Sequence, residues 1–160
     1  MRDSSAGGFT LLELMVAIGV VAILMLIALP TYWDRVVRQQ VNEALPLAEL
    51  AKPAVELAWR MGQPLPADNS AAGLPVADKI VNQVVSSVTL DNGAIHIAFG
   101  NRAHNALKGK TLTLRPAVVE DARIVPVTWL CGMAPPPEKM TAQGTNRTDV
   151  PRELLPPRCR

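Results

Sequence analysis

The chain has 160 residues, enough for one domain of ordinary size plus an anchor helix. Its apolar share of 49% is high, but much of it is gathered in residues 9–29, and the net charge of +2 is too small to imply a nucleic-acid partner. Aromatic residues make up 4%, which argues against a base-stacking platform.

Residues 1–8 form a short polar stretch ending in Gly7-Gly8. From Phe9 to Leu29 the only charge is Glu13. A helix of that length covers roughly 31 Å, about the hydrocarbon thickness of a bilayer. Residues 14–29 are apolar on every face, so this helix needs lipid or protein all round it. A cleaved secretory signal places small residues after its apolar run. Here the small pair stands before the run, so cutting there leaves the apolar helix on the mature protein. Arg2 on one side and Arg35 and Arg38 on the other give the positive-inside rule little to use.

Residue by residue, this stretch resembles the type III signal of prepilins: a polar leader ending in Gly, then Phe-Thr-Leu-hydrophobic-Glu opening a long apolar helix. Gly8 matches the residue before the cut, and Phe9 the new N-terminus that the same peptidase methylates. Glu13 matches the acid at the fifth mature position, and Leu29-Pro30-Thr31-Tyr32 the Leu-Pro-x-Tyr that follows. Many relatives carry Gly where this chain has Ala22, while this chain has Gly19 instead. In the family that Gly and the later Pro bracket a segment that loses helicity in the filament. The resemblance implies a leader over 1–8 in the cytoplasm, a transmembrane and filament-core helix over 9–30, and the rest of the chain outside.

Past Pro30 the helix is expected to continue, bent rather than broken, as an amphipathic segment over 31–61. Val37, Val41, Ala44, Ala48, Ala51, Val55 and Ala58 recur at strict 4-3 spacing. A second stripe, Leu47, Leu50, Ala54, Leu57 and Met61, lies about 100° round the same cylinder. Two stripes suggest two jobs, one packing a head domain and the other neighbouring helices. A single wide core-facing helix accounts for them equally well. Glu49, Lys52, Glu56 and Arg60 line a charged face, Pro46 and Pro53 add bends, and Gly62 with Pro64 and Pro66 stops the helix.

Residues 62–83 read as a connecting loop with a short helix near Val76 to Val84, and strands follow over 84–131. Val84 to Leu90, the turn Asp91-Asn92-Gly93 and Ala94 to Phe99 make a hairpin. Thr111 to Val118 and Ile124 to Cys131 read as two more strands, with Pro116 and Pro126 at edges or bulges. The expected fold is therefore α+β: a long N-terminal helix packed on a four-stranded antiparallel sheet. Segments 100–101 and 107–114 also resemble pilins of the type IVa kind. Residues 131–160 are rich in proline and weakly periodic. Cys131 and Cys159, the chain's only two cysteines, bound nearly all of that stretch. On the exported side that the resemblance implies, a disulfide closing this terminal loop is the default reading.

Catalytic and metal chemistry finds little support. Gly109-Lys110-Thr111 imitates the end of a phosphate-binding loop, but the first glycine would fall at His104. His96 and His104 have no Cys or His partner at metal-ligand spacing, and Asp91-Asn92-Gly93 lacks the further acids of a calcium loop. Asn146-Arg147-Thr148 fits a glycosylation sequon but is read as a loop feature. Neither an enzyme nor a cofactor or metal is expected. Arg102, Lys108, Lys110 and Arg115 run with no acid between them. That run is either a solvated surface or a weak phosphate-binding stripe that contacts DNA.

Over almost its whole length the chain resembles a type IVa prepilin. The resemblance implies a subunit that waits in the inner-membrane lipid of a Gram-negative bacterium. A prepilin peptidase and methyltransferase processes it, and inner-membrane assembly machinery draws it into a filament of its own copies. Adhesion, twitching motility and DNA uptake are the implied outputs. Two alternatives share the N-terminus: a low-abundance DNA-binding pilin and a pseudopilin of a type II secretion system.

Overall fold

A computed structural model describes residues 8–160, with the side chains of residues 27–31 outside the description. The leader expectation for residues 1–7 and the packing of Pro30 therefore lie outside the described residues. The chain divides into two compact units, Met1–Val36 and Val37–Arg160. Helix α1 spans Leu11–Ala48, α2 spans Lys52–Met61, and five strands follow: β1 Val85–Asp91, β2 Ala94–Phe99, β3 Thr111–Val118, β4 Thr128–Cys131 and β5 Thr141–Ala142.

In the first unit the helix opens at Thr10. Its hydroxyl accepts the Glu13 N–H at 3.3 Å, and its carbonyl accepts the first helical bond from Leu14. Thr10 and Glu13 thus stand at the N-cap and N3 positions with the Thr-x-x-Glu spacing of a capping box, and the Thr10 side chain makes its half of the exchange. Helical backbone runs through Pro30. Among the described residues no helix is long and apolar enough to cross a membrane. The apolar run of the sequence continues into the residues whose side chains are not described.

In the second unit the expected 4-3 stripe is the face that enters the core: Val37, Val41, Ala44, Ala48, Ala51, Val55 and Ala58 are all buried. The helix is not continuous to Met61, however. Glu49–Ala51 form a turn closed by bonds from Glu49 to Pro46 and from Ala51 to Ala48. Pro53 explains the break, because it donates no N–H and its ring crowds the carbonyl of residue 49. The interruption keeps Ala48, Ala51 and Val55 on one face, so the core stripe survives it. At the far end Gly62 takes φ 73°, and the N–H groups of Gly62 and Gln63 return to Trp59 and Ala58 in a Schellman cap.

The sheet is antiparallel in the order β1-β2-β3-β4. The β1–β2 turn holds Asn92 at φ 48° and Gly93 at φ 84°, the left-handed pair that a two-residue hairpin requires. Ile95, Ile97, Leu112 and Leu114 alternate with Val88 and Leu90 to build the face that shares the core with the helical stripe. β4 begins at Thr128 rather than Ile124. Residues 119–127 are instead a turn-rich loop with Pro126 in it and Ile124 91% exposed. The short helix expected near residues 76–84 is only a 3-10 turn at Ala77–Lys79. β5 extends the sheet by pairing Thr141 and Ala142 with Val118 and Ala117.

Cys131 and Cys159 are joined, with their Cα atoms 4.4 Å apart, and both are buried in the core. The terminal loop carries more anchors than its composition suggests. Val150 and Leu155 are buried, Arg38 donates to the Glu153 carbonyl, and Arg158 donates to Asn42 Oδ1 at 2.9 Å.

Candidate assembly surface

In the N-terminal unit the described large apolar side chains from Phe9 to Leu26 are uncovered. Phe9 is 83% exposed, and Leu11, Leu12, Met15, Ile18, Ile23 and Leu26 are each at least 60% exposed. Burying one such side chain is worth about 1.5–3 kcal/mol, so a helix that displays this many is built to be covered. Glu13 is exposed among them at the N3 position, where a carboxylate complements the helix dipole. Gly8 and Phe9 precede the helix and belong to no regular element.

The head unit presents a second apolar face. Of the second stripe, Leu47 and Ala54 are half-buried, whereas Leu50, Leu57 and Met61 are exposed. That separates the two readings of the paired stripes: one stripe packs the head and the other is left outward. Leu57 and Ala54 also wall a groove of about 610 Å³ against Pro64, Pro66 and Ala72 of the connecting loop.

The charged face of α2 serves the sheet as well as solvent. Glu56 Oε1 accepts the Trp129 indole N–H at 2.8 Å, and Lys52, paired to Glu49 at 2.6 Å, lies 5.5 Å from the Trp129 ring centroid. Arg123 of the β3–β4 loop sits 5.6 Å from the Trp59 ring. These contacts tie α2 to the middle of that loop and to β4 beyond it. Sequence spacing gave no hint of them, since the partners are more than sixty residues apart.

The four cations proposed as a stripe do not stand alike. Arg102 and Lys108 are exposed, Lys110 lies 3.9 Å from Asp149, and Arg115 is half-buried with its Nε covered and unpaired. Arg115 faces the sheet's outer side from β3, away from the loop that carries the other three. Among the described residues no group of three or more His, Cys, Asp or Glu side chains is placed to hold a metal. Asn146 donates its side-chain amide to the Gly132 carbonyl at 2.9 Å, which makes it a structural loop residue.

Comparison with known proteins agrees with the two surfaces. A family described as Pilin (bacterial filament) matches residues 37–160, and a prokaryotic N-terminal methylation motif matches residues 3–29. The chain is 38% identical over 144 residues to a fimbrial protein of Neisseria meningitidis serogroup A, covering 89% of this chain and 81% of that protein. It is 35% identical over 159 residues to the type IV major pilin protein PilE of Neisseria gonorrhoeae, covering 96% and 93%. A fimbrial protein EcpC of Eikenella corrodens is 43% identical over 111 residues, covering 68% and 72%. With a methylation motif leading into an exposed apolar helix, and a disulfide-closed sheet domain matched along its whole length, the chain belongs to the type IV pilin family of bacterial filament subunits.

Proposed function

We propose that this subunit is cut between Gly8 and Phe9, methylated at Phe9, and polymerised through its N-terminal helix into a surface pilus. The observation that carries this reading is the opening stretch of that helix, where the large apolar side chains from Phe9 to Leu26 stand exposed around one carboxylate, Glu13. Before assembly, inner-membrane lipid covers that helix; afterwards, the helices of neighbouring copies do. Cleavage frees the Phe9 amine, and Glu13 of one subunit meets that amine on the next. The exposed stripe Leu50, Leu57 and Met61 supplies a second contact between copies. Inner-membrane machinery drives the exchange of lipid for protein.

The relatives named as major pilins favour a bulk subunit over a secretion pseudopilin or a rare DNA-binding subunit. Adhesion and twitching motility follow from such a filament. DNA contact through Arg102 and Lys108 would be weak and without sequence preference. Intact-mass analysis of sheared surface filaments tests the reading. The dominant band should begin at Phe9 with one added methyl group, and a chain that begins at Met1, or is absent from filaments, would refute it.

A further inference from the structure

His96 lies on the face of the sheet that points away from the helix, yet it is only 5% exposed. Its cover is the segment 143–149. Gln143 donates to the Pro116 carbonyl, Gly144 lies against Ala94, Arg147 N–H donates to Thr113 Oγ1, and Asp149 N–H donates to the Thr111 carbonyl. The segment thus straps the outer face from β2 across to the free edge of β3.

Beneath the strap, His96 Nδ1 is 2.9 Å from Thr113 Oγ1. That hydroxyl oxygen accepts the Arg147 N–H as well, and with its own hydrogen and second lone pair it can donate to the imidazole or accept from it. The other ring nitrogen, Nε2, is buried without a hydrogen-bond partner. Asp91 Oδ2 stands 3.8 Å from Nε2 and is held by the Arg147 guanidinium. The charged groups on this face are Asp91 of β1, Arg115 of β3 and Arg147 of the strap; β4 contributes the uncharged Thr128 and Leu130. Lys110 and Asp149 face each other at the start of β3.

We propose that His96 makes this strap an acid-sensitive latch: a second ring proton places a buried cation beside Arg147 and pulls Asp91 away from it, so that residues 143–149 lift off the sheet. A charged ring sets a cation out of reach of water and beside Arg147, and its Nε2–H faces the carboxylate that now holds Arg147. Burial, and then the Arg147 guanidinium, hold the imidazole below the ordinary histidine range, with Asp91 pulling the other way. The closed strap therefore takes up a proton less readily than the open one. Closure is at full strength above about pH 6.5 and weakens as pH falls below it.

Hydrogen exchange of the detergent-solubilised full chain at pH 7 and pH 5 tests this, with each rate divided by the free-peptide rate at that pH. Protection of peptides covering 143–150 should fall several-fold on acidification, to a ceiling of about 25-fold for one proton, while α2 changes little. The His96→Gln variant should show the same strap protection at both pH values. Equal wild-type protection at the two pH values, or a fall in His96→Gln as large as in wild type, overturns the latch. If that variant does not fold, NMR titration of the wild-type imidazole decides alongside the wild-type exchange. A midpoint below about 6.5 supports the latch, and one at or above it overturns the latch.

Discussion

Replacing Cys131 and Cys159 together by alanine should cost the head domain about 3–4 kcal/mol. The bond closes a loop of sequence separation 28. Loop-closure entropy for that length is about 12 cal/mol/K, or about 3.6 kcal/mol at 25 °C, removed from the unfolded chain. The terminal loop's other anchors remain in the variant: Val150 and Leu155 stay buried, and Arg38 and Arg158 still reach Glu153 and Asn42. The native fold therefore persists, and the loss appears mainly through the freed unfolded state. Alanine is the informative choice, because serine would bury two hydroxyls at positions lined by Leu114 and Leu112 and cost about 1–3 kcal/mol more for each left unpaired. Trp129 shares a small cavity with Cys131, so its fluorescence reports unfolding beside the bond. Urea titration of wild type and double variant, both as full chains in detergent, measures the difference. A loss below about 1 kcal/mol would mean that the proline-rich loop is ordered by its anchors, and the loop-closure argument would fail.

Two further outcomes are expected. Leu57→Ala with Met61→Ala, both at exposed positions, should change head-domain stability by less than about 0.5 kcal/mol each while lowering the yield of sheared filaments; an unchanged yield would remove the second stripe from the filament contact. Any DNA affinity of the full chain should fall steeply between about 50 and 200 mM salt and drop further in Arg102→Ala/Lys108→Ala; affinity that survives the salt would contradict a phosphate-only contact.

The core-facing stripe was legible in the sequence because each of its positions repeats at helical spacing and each is small or β-branched. β2 and β3 were legible for a similar reason, since their apolar runs end at the strong turn signals Asn92-Gly93 and Gly100-Asn101. The ends of other elements were set by local conflicts. Pro53 broke a helix whose stripe continued unchanged across the gap. Pro126 and the exposed Ile124 kept 124–127 out of a strand that their β-branched residues invited. Thr10 as N-cap was available from the Thr-x-x-Glu spacing, but the apolar run that follows masked it. The strap over His96 was not legible, because it rests on single hydrogen bonds between residues 27 to 56 apart and leaves no periodic trace. Glu56 looked like part of a solvated face for the same reason: its Trp129 partner lies on another element.

The central claim is that Glu13 is a charge kept for the contact between subunits. A carboxylate in the middle of a bilayer costs about 2.5–3.5 kcal/mol, less near the interface. Its place in the first helical turn returns about 0.3–1 kcal/mol, too little to account for a charge there. Pairing with the Phe9 amine of a neighbour satisfies both groups and rewards only the docked register, whereas either charge left alone in the filament core is strongly disfavoured. Glu13→Gln isolates this effect, since glutamine at N3 still serves the capping box with Thr10. In cells expressing only Glu13→Gln or Glu13→Ala, membranes should hold subunits cut after Gly8 at close to the wild-type level. Sheared filaments should be absent or reduced severalfold. A normal filament yield from those cells would contradict the account and remove the inter-subunit role from Glu13.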